Sequence, residues 1–149
     1  MIRPVIAFAP ASRTPGLSGI AAILRFDGRP AETEAIRAMT GATDYRGPDG
    51  IEHWTNGGAA LGHCMFRTTA ESLTEVQPLT DETGALRLVM DGWLANPEEL
   101  RTELQGRGAR LRDRSDAELV LKAYLEWGED CARHIDGEWA FLVWDERTN

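Results

Sequence analysis

Cysteine is scarce in the 149-residue chain: Cys64 and Cys131 are the only two, and they form no CxxC pair. That spacing excludes a disulfide-stapled secreted scaffold. Lysine is scarcer, since Lys122 is the only one among 16 basic residues. We read the excess of arginine as a genome bias and not as a guanidinium-specific site. Positive charge is short overall, with 16 basic residues against 24 acidic ones and a net charge of −8. This balance argues against nucleic acid, whose backbone is bound by clustered positive charge, and against an anionic membrane surface. No apolar run approaches the roughly 20 residues of a membrane span, and no G-x-x-x-x-G-K-[ST] phosphate loop is present. Pro4 and Pro10 cut the first apolar run to about five residues, short of the roughly 7–15 of a signal sequence. The chain therefore reads as cytoplasmic and reduced.

What is present is enough for one core: 42% hydrophobic and 27% charged residues in a chain of single-domain length. Residues 1–17, with Pro4, Pro10, Pro15 and Gly16, read as an extended leader without a core face. Ser18–Phe26 is of strand character and ends at Asp27-Gly28. Glu32–Met39 has helical spacing, with Gly41 as its stop. Tyr45–Gly50 is a turn cluster. Ala59–Thr68 and Ala85–Met90 read as strands, and Asp91-Gly92 reads as a turn. Asn96 is placed to cap a helix opened by Pro97, Glu98 and Glu99. Ser115-Asp116-Ala117-Glu118 matches a capping box for a second helix, which Gly128 ends. Glu138–Asp145 is a dense buried-strand candidate. Strands and helices do not alternate regularly, so the expected class is α+β. The chain stops just after a strand, so a domain truncated at its C-terminus is expected.

Six segments in order carry a resemblance. Ser18-Gly19-Ile20-Ala21-Ala22-Ile23-Leu24 resembles C-G-I-A-G-I-L, and Tyr45-Arg46-Gly47-Pro48-Asp49-Gly50 resembles H-R-G-P-D. Leu61-Gly62-His63 with Gln77-Pro78-Leu79 resembles L-G-H-x-R-L-S-I and Q-P-L, and Asp91–Asn96 resembles N-G-E-I-Y-N. Ser115–Glu118 matches S-D-x-E, and Gly137–Asp145 resembles G-x-F-A-F-x-x-W-D. These patterns are similar to those of class II glutamine amidotransferase domains, specifically the amino-terminal domain of asparagine synthetases. The resemblance implies an αββα four-layer sandwich of two antiparallel sheets, the amino-terminal-nucleophile (Ntn) hydrolase fold, over residues 18–149. It also implies a partner: a carboxyl-terminal synthetase domain of the same polypeptide, absent from this chain, that would use ATP and Mg. No cofactor is expected in the chain itself.

In such domains a terminal thiolate attacks the glutamine amide and its own α-amine is the base. An Asn side chain and a Gly N–H hold the oxyanion, an Arg holds the substrate carboxylate and acidic residues hold the substrate ammonium, so the resemblance implies Met65, Trp93 and Asp116 at glutamine-pocket positions. Here the nucleophile position is Ser18, behind seventeen residues, so its nitrogen is an amide and no base. The Arg position is Met65, with Arg67 two residues on and on the same strand face as a conceivable substitute. The oxyanion Asn is Asp91, which when ionised offers no donor. Gly92 and Asp116 match the family, but a turn glycine and a first-turn helix acid would explain both without chemistry. Trp93 stands at the Glu position and is expected to plug the former pocket. His63 is expected to build the turn after its strand. Trp127, Trp139 and Trp144 are expected in the core, and His53, His63 and Cys64 do not have the spacing of a metal site.

The expectation is a glutaminase-inactive scaffold domain of an asparagine-synthetase-like, ATP-dependent amide-forming or lactam-forming ligase. Resemblance implies β-lactam synthetases and lasso-peptide cyclases as relatives, with a peptide substrate or another protein as a further partner. The alternatives are an asparagine synthase fed by ammonia or glutamine, a Ser18 hydrolase released by removal of the leader, and a freestanding interaction module.

Overall fold

A computed structural model describes residues 5–8 and 18–148. The strands are β1 (Val5–Phe8), β2 (Gly19–Leu24), β3 (Gly50–Asn56), β4 (Ala59–Met65), β5 (Leu79–Thr80), β6 (Leu86–Leu94) and β7 (Gly137–Asp145). The α-helices are α1 (Thr33–Gly41), α2 (Pro97–Gly106) and α3 (Asp116–Trp127). Two antiparallel sheets result, one in the order β1-β7-β6-β5 and the other β2-β4-β3.

Alternation along the strands sorts the side chains into layers. Ala59 and Leu61 of β4 pack with Val89, Leu142 and Trp144 between the two sheets. Ala60, on the opposite face of β4, packs with Ile36 of α1. Leu86, Leu88 and Met90 of β6 turn the other way, onto Leu100 and Leu104 of α2 and Leu119, Val120 and Ala123 of α3. The order is thus α1, sheet, sheet, α2 with α3: the four-layer sandwich expected from the sequence. Among the described residues no helix is long and apolar enough to cross a membrane.

Several local expectations are corrected. Asp91-Gly92 is not a turn, because β6 runs through it and pairs with Ala140 and Trp139 of β7. Gly92 has φ +117°, and a Cβ there would overlap the Glu138 carbonyl. Glycine is required by the close approach of β7, not by a bend. Strand β3 has no sequence signal of its own, because only part of it is covered. Asn96 does not cap α2 through its side chain. It bridges to the chain before β7 instead, donating to the His134 carbonyl (3.0 Å) and accepting from Asp136 N–H (3.0 Å). The capping box of α3 is half made. Ser115 Oγ accepts from Glu118 N–H at 3.2 Å, but Ser115 N–H turns to Asp113 Oδ1 at 2.8 Å. The buried Glu118 carboxylate pairs with Arg112 and Lys122. Within the expected leader, Val5–Phe8 is a strand at the edge of the first sheet, paired with Phe8 opposite Ala140 and Val5 opposite Val143. Residues 1–4 and 9–17 lie outside the described residues.

Candidate active site

The two sheets present one common end. Ser18 immediately precedes β2, Met65 closes β4, Asp91 to Trp93 lie late in β6, and Asp116 begins α3. Together with the segment after β4 they wall a cavity of about 510 Å³, lined by Ser18, Met65, Gly92, Trp93 and Asp116 among others. Of the six residues expected at the site, five line this cavity. Asp91 sits just behind it.

Ser18 is tied down at both of its oxygens. Its Oγ accepts from Phe66 N–H at 3.0 Å and its carbonyl accepts from Arg46 Nε at 2.8 Å. The same guanidinium reaches Asp91 Oδ2 at 3.4 Å. The Asp91 carboxyl is pushed up to about 6 by burial, which outweighs Arg46 and the backbone N–H groups of Gly92 and Ser18 that favour its charged form. Its Oδ1 is buried with no hydrogen bond of normal geometry. At neutral pH a negative charge therefore stands beside Ser18, where a developing oxyanion needs a donor. The Gly92 N–H, the remaining donor of the expected pair, already faces that charge.

Met65 is buried and offers the cavity a thioether wall. Arg67 does not replace the missing cation. Its guanidinium donates to the carbonyls of Ser72 (3.0 Å), Asp49 (3.0 Å) and Glu75 (3.5 Å), so it braces the loop after β4. Asp116 Oδ2 accepts from Leu94 N–H at 2.8 Å, fixing α3 to the end of β6. Burial, together with the charge of Glu71, holds its carboxyl above the ordinary range. Trp93 does not plug the pocket. It stands at the rim, 49% exposed, and the cavity remains open beside it.

His63 is likewise not a turn residue. It is buried within β4, and its Nε2 bonds the Met90 carbonyl at 3.0 Å. Burial lowers its pKa to about 4, so it is neutral at pH 7. The partner of Met90 N–H is Gln77 Oε1 at 2.6 Å. Two side chains thus satisfy the backbone of β6 where β5 has not yet begun. His53 bonds Thr40 and Cys64 lies against the Thr40 carbonyl, so neither joins His63. Among the described residues no group of three or more His, Cys, Asp or Glu is placed to hold a metal. Trp139 and Trp144 are buried as expected, whereas Trp127 is only partly covered and stacks on His134 at 3.8 Å. Sequence reasoning missed Arg46, Glu71 and Glu75. Arg46 lies inside the quoted Tyr45–Gly50 segment and was the legible one; the two glutamates sit in a loop without periodicity.

Residues 17–149 match the family described as Glutamine amidotransferase domain. The chain belongs to that family, as a class II domain of the asparagine synthetase group. It is 34% identical over 119 residues to asparagine synthetase [glutamine-hydrolyzing] 3 of Bacillus subtilis (strain 168), covering 79% of this chain and 19% of that protein. It is 30% identical over 137 residues to amidase chry2 of Gibberella zeae, covering 91% of this chain and 19% of the relative. The chain thus spans about a fifth of the length of these curated relatives. Among solved structures, the glutamine phosphoribosylpyrophosphate amidotransferase of B. subtilis, complexed with ADP and GMP, superposes with a TM-score of 0.65 at 20% identity. That match covers 88% of this chain and 35% of the other, and it establishes the Ntn-hydrolase fold alone.

Proposed function

We propose that this amidotransferase domain is glutaminase-inactive. It serves as the amino-terminal scaffold of an asparagine-synthetase-like, ATP-dependent ligase that forms an amide or lactam with a substrate amine, as a lasso-peptide cyclase does. The observation that carries the reading is the Asp91 carboxyl, buried beside Ser18 and Gly92 with one oxygen unpartnered. Loss of one oxyanion donor alone removes about 2.7–4 kcal/mol of transition-state stabilisation. Here a carboxylate also opposes the developing charge. Ser18 adds a second obstacle: its hydroxyl oxygen accepts a backbone N–H, and no base contacts it among the described residues. Met65 adds a third, since a thioether cannot hold a carboxylate. A linked synthetase domain would supply ATP and Mg chemistry and act on a peptide or another amine-bearing substrate.

A second reading is asparagine synthesis by the linked domain, using free ammonia. The 34% identity to a Bacillus subtilis asparagine synthetase favours it. Both readings share the inactive amidotransferase site. The test is incubation of the purified chain with glutamine and quantification of glutamate. No release above the enzyme-free rate is expected, and sustained release that scales with protein concentration overturns the proposal. The parent polypeptide given aspartate, ATP and ammonia then separates the two readings, because only the second yields asparagine.

A further inference from the structure

Strand β7 is buried on both of its faces. Phe141 and Val143 lie against the helices, and Leu142 and Trp144 lie between the two sheets. From Ala140 to Trp144 it carries no charged side chain. The edges of such a strand need partners. Its main-chain groups are shielded from water on two sides, and an open edge would template pairing with another chain. One edge is closed by β6 and the other by β1, which is only four residues long.

Two hydrogen bonds just past the ends of the β6–β7 ladder fix its phase. Ala95 N–H donates to the Asp136 carbonyl at 2.7 Å, and Glu146 N–H donates to the Ala85 carbonyl at 3.0 Å. In an antiparallel pair, hydrogen-bonded and non-hydrogen-bonded positions alternate. Val89 and Asp91 therefore bond Leu142 and Ala140, whereas Met90 turns its main chain away from β7, onto Gln77 and His63. Phe141 and Val143 consequently point their N–H and C=O groups at β1. There they meet Ala7 and Val5, in about four main-chain hydrogen bonds. The main chain of Ile6 and Phe8 faces away from β7.

The groups that β1 covers are self-complementary. A two-fold axis at Leu142 sets Phe141 against Val143 of a second copy and Val143 against its Phe141. In the same register Trp139 opposes Asp145, and both of these face the β1 side as well. The ladder between two copies therefore reaches about eight main-chain hydrogen bonds, twice what β1 supplies.

We infer that the outer edge of β7 is a strand-acceptor site, that β1 fills it within the chain, and that displacement of β1 makes a second copy of this chain its occupant, β7 against β7. In this role β1 is a guard strand that keeps the protein monomeric, and a cut before Ser18 removes it. The inference is independent of whether the site at Ser18 cleaves glutamine.

The test uses the full chain. Ala7→Pro removes a donor that faces β7, whereas Ile6→Pro removes one that faces away. Sedimentation is expected to find the parent and Ile6→Pro monomeric and Ala7→Pro dimeric. An excess of a synthetic peptide of residues 1–10 is expected to return the Ala7→Pro dimer to monomer. Amide exchange at Phe141 and Val143 should not depend on protein concentration in the parent, and should quicken at least about tenfold on dilution of Ala7→Pro. Val5→Pro removes the other facing donor, at the end of β1, and gives the same readout where Ala7→Pro does not fold. A dimeric parent overturns the inference. So does a monomeric Ala7→Pro whose Phe141 and Val143 amides are protected as in the parent. Equal behaviour of Ile6→Pro and Ala7→Pro overturns it as well, because the effect then does not come from the ladder to β7. A monomeric Ala7→Pro with both amides exposed, or a dimer that the peptide leaves intact, overturns the assignment of a second copy to this edge.

Discussion

Along β6, the stretch from Leu86 to Met90 is held by packing, whereas the stretch from Asp91 to Leu94 is held by backbone geometry and charge. The first half alternates between two apolar layers, with Leu86, Leu88 and Met90 on the helices and Val89 on the facing sheet. The second half has a glycine in close approach to β7, a half-buried carboxyl and an exposed indole. Apolar packing tolerates exchange of one hydrophobic residue for another of similar volume. A positive-φ glycine under a neighbouring carbonyl tolerates no exchange. One strand therefore contains both a region where sequence can drift and a region where each position has a separate physical reason.

The largest expected effect breaks the second half. Gly92→Ala places a methyl group into the Glu138 carbonyl at φ +117° and should cost about 4 kcal/mol, read by urea denaturation. Gly84→Ala is the control, with φ +78° and open space around it, and should cost about 1 kcal/mol. In the first half, Leu88→Ala removes a fully buried side chain between β6 and the helices and should cost about 3 kcal/mol.

A smaller effect sharpens the comparison through pH. The Asp91 carboxyl is raised from 3.8 to about 6 on folding. The folded state thus holds its proton more tightly than the unfolded one, and its contribution to stability falls as pH rises from about 4 to 6. Asp91→Asn removes that loss. The variant should gain on the parent through this window, by about 2–3 kcal/mol, with the attraction of Arg46 already contained in the shift. His63 works in the opposite direction. Its pKa falls from 6.5 to about 4, so it contributes stability that is lost as pH drops through that range. The parent should accordingly have a flatter pH profile than Asp91→Asn, and a variant curve parallel to the parent's would remove Asp91 from the account. The smallest effect is Ser115→Ala, which removes one cap hydrogen bond from α3 and should cost about 1 kcal/mol in the same denaturation assay.

Much of the architecture was legible because it rests on local rules. Ser115 announces the start of α3 and Gly128 its end, and the apolar faces of both longer helices point where their spacing places them. The substituted site was legible too, since Ser18, Met65, Gly92, Trp93 and Asp116 do meet at one cavity. What escaped depends on long-range neighbours. Asp91-Gly92 has the composition of a turn, and only the proximity of β7 makes it strand. His63 looks like a polar strand end until Met90, 27 residues later, supplies a carbonyl for it. Arg67 lies on the right strand face to replace an anchor, yet three nearby carbonyls claim its guanidinium. Glu71 and Glu75 sit in a loop with neither period nor motif, so their convergence on the cavity is a tertiary event.

Strand β5 is two residues long, pairing Leu79 and Thr80 with Leu88 and Arg87 before it stops. Had it begun a few residues earlier, its main chain would have lain opposite Met90 and run alongside β6 toward Trp93, zipping the sheet shut. Instead Gln77 and His63 act as two single stitches at the point where the seam stops. Beyond them the fabric gapes, and the hollow beside Ser18 exists because that edge was never sewn.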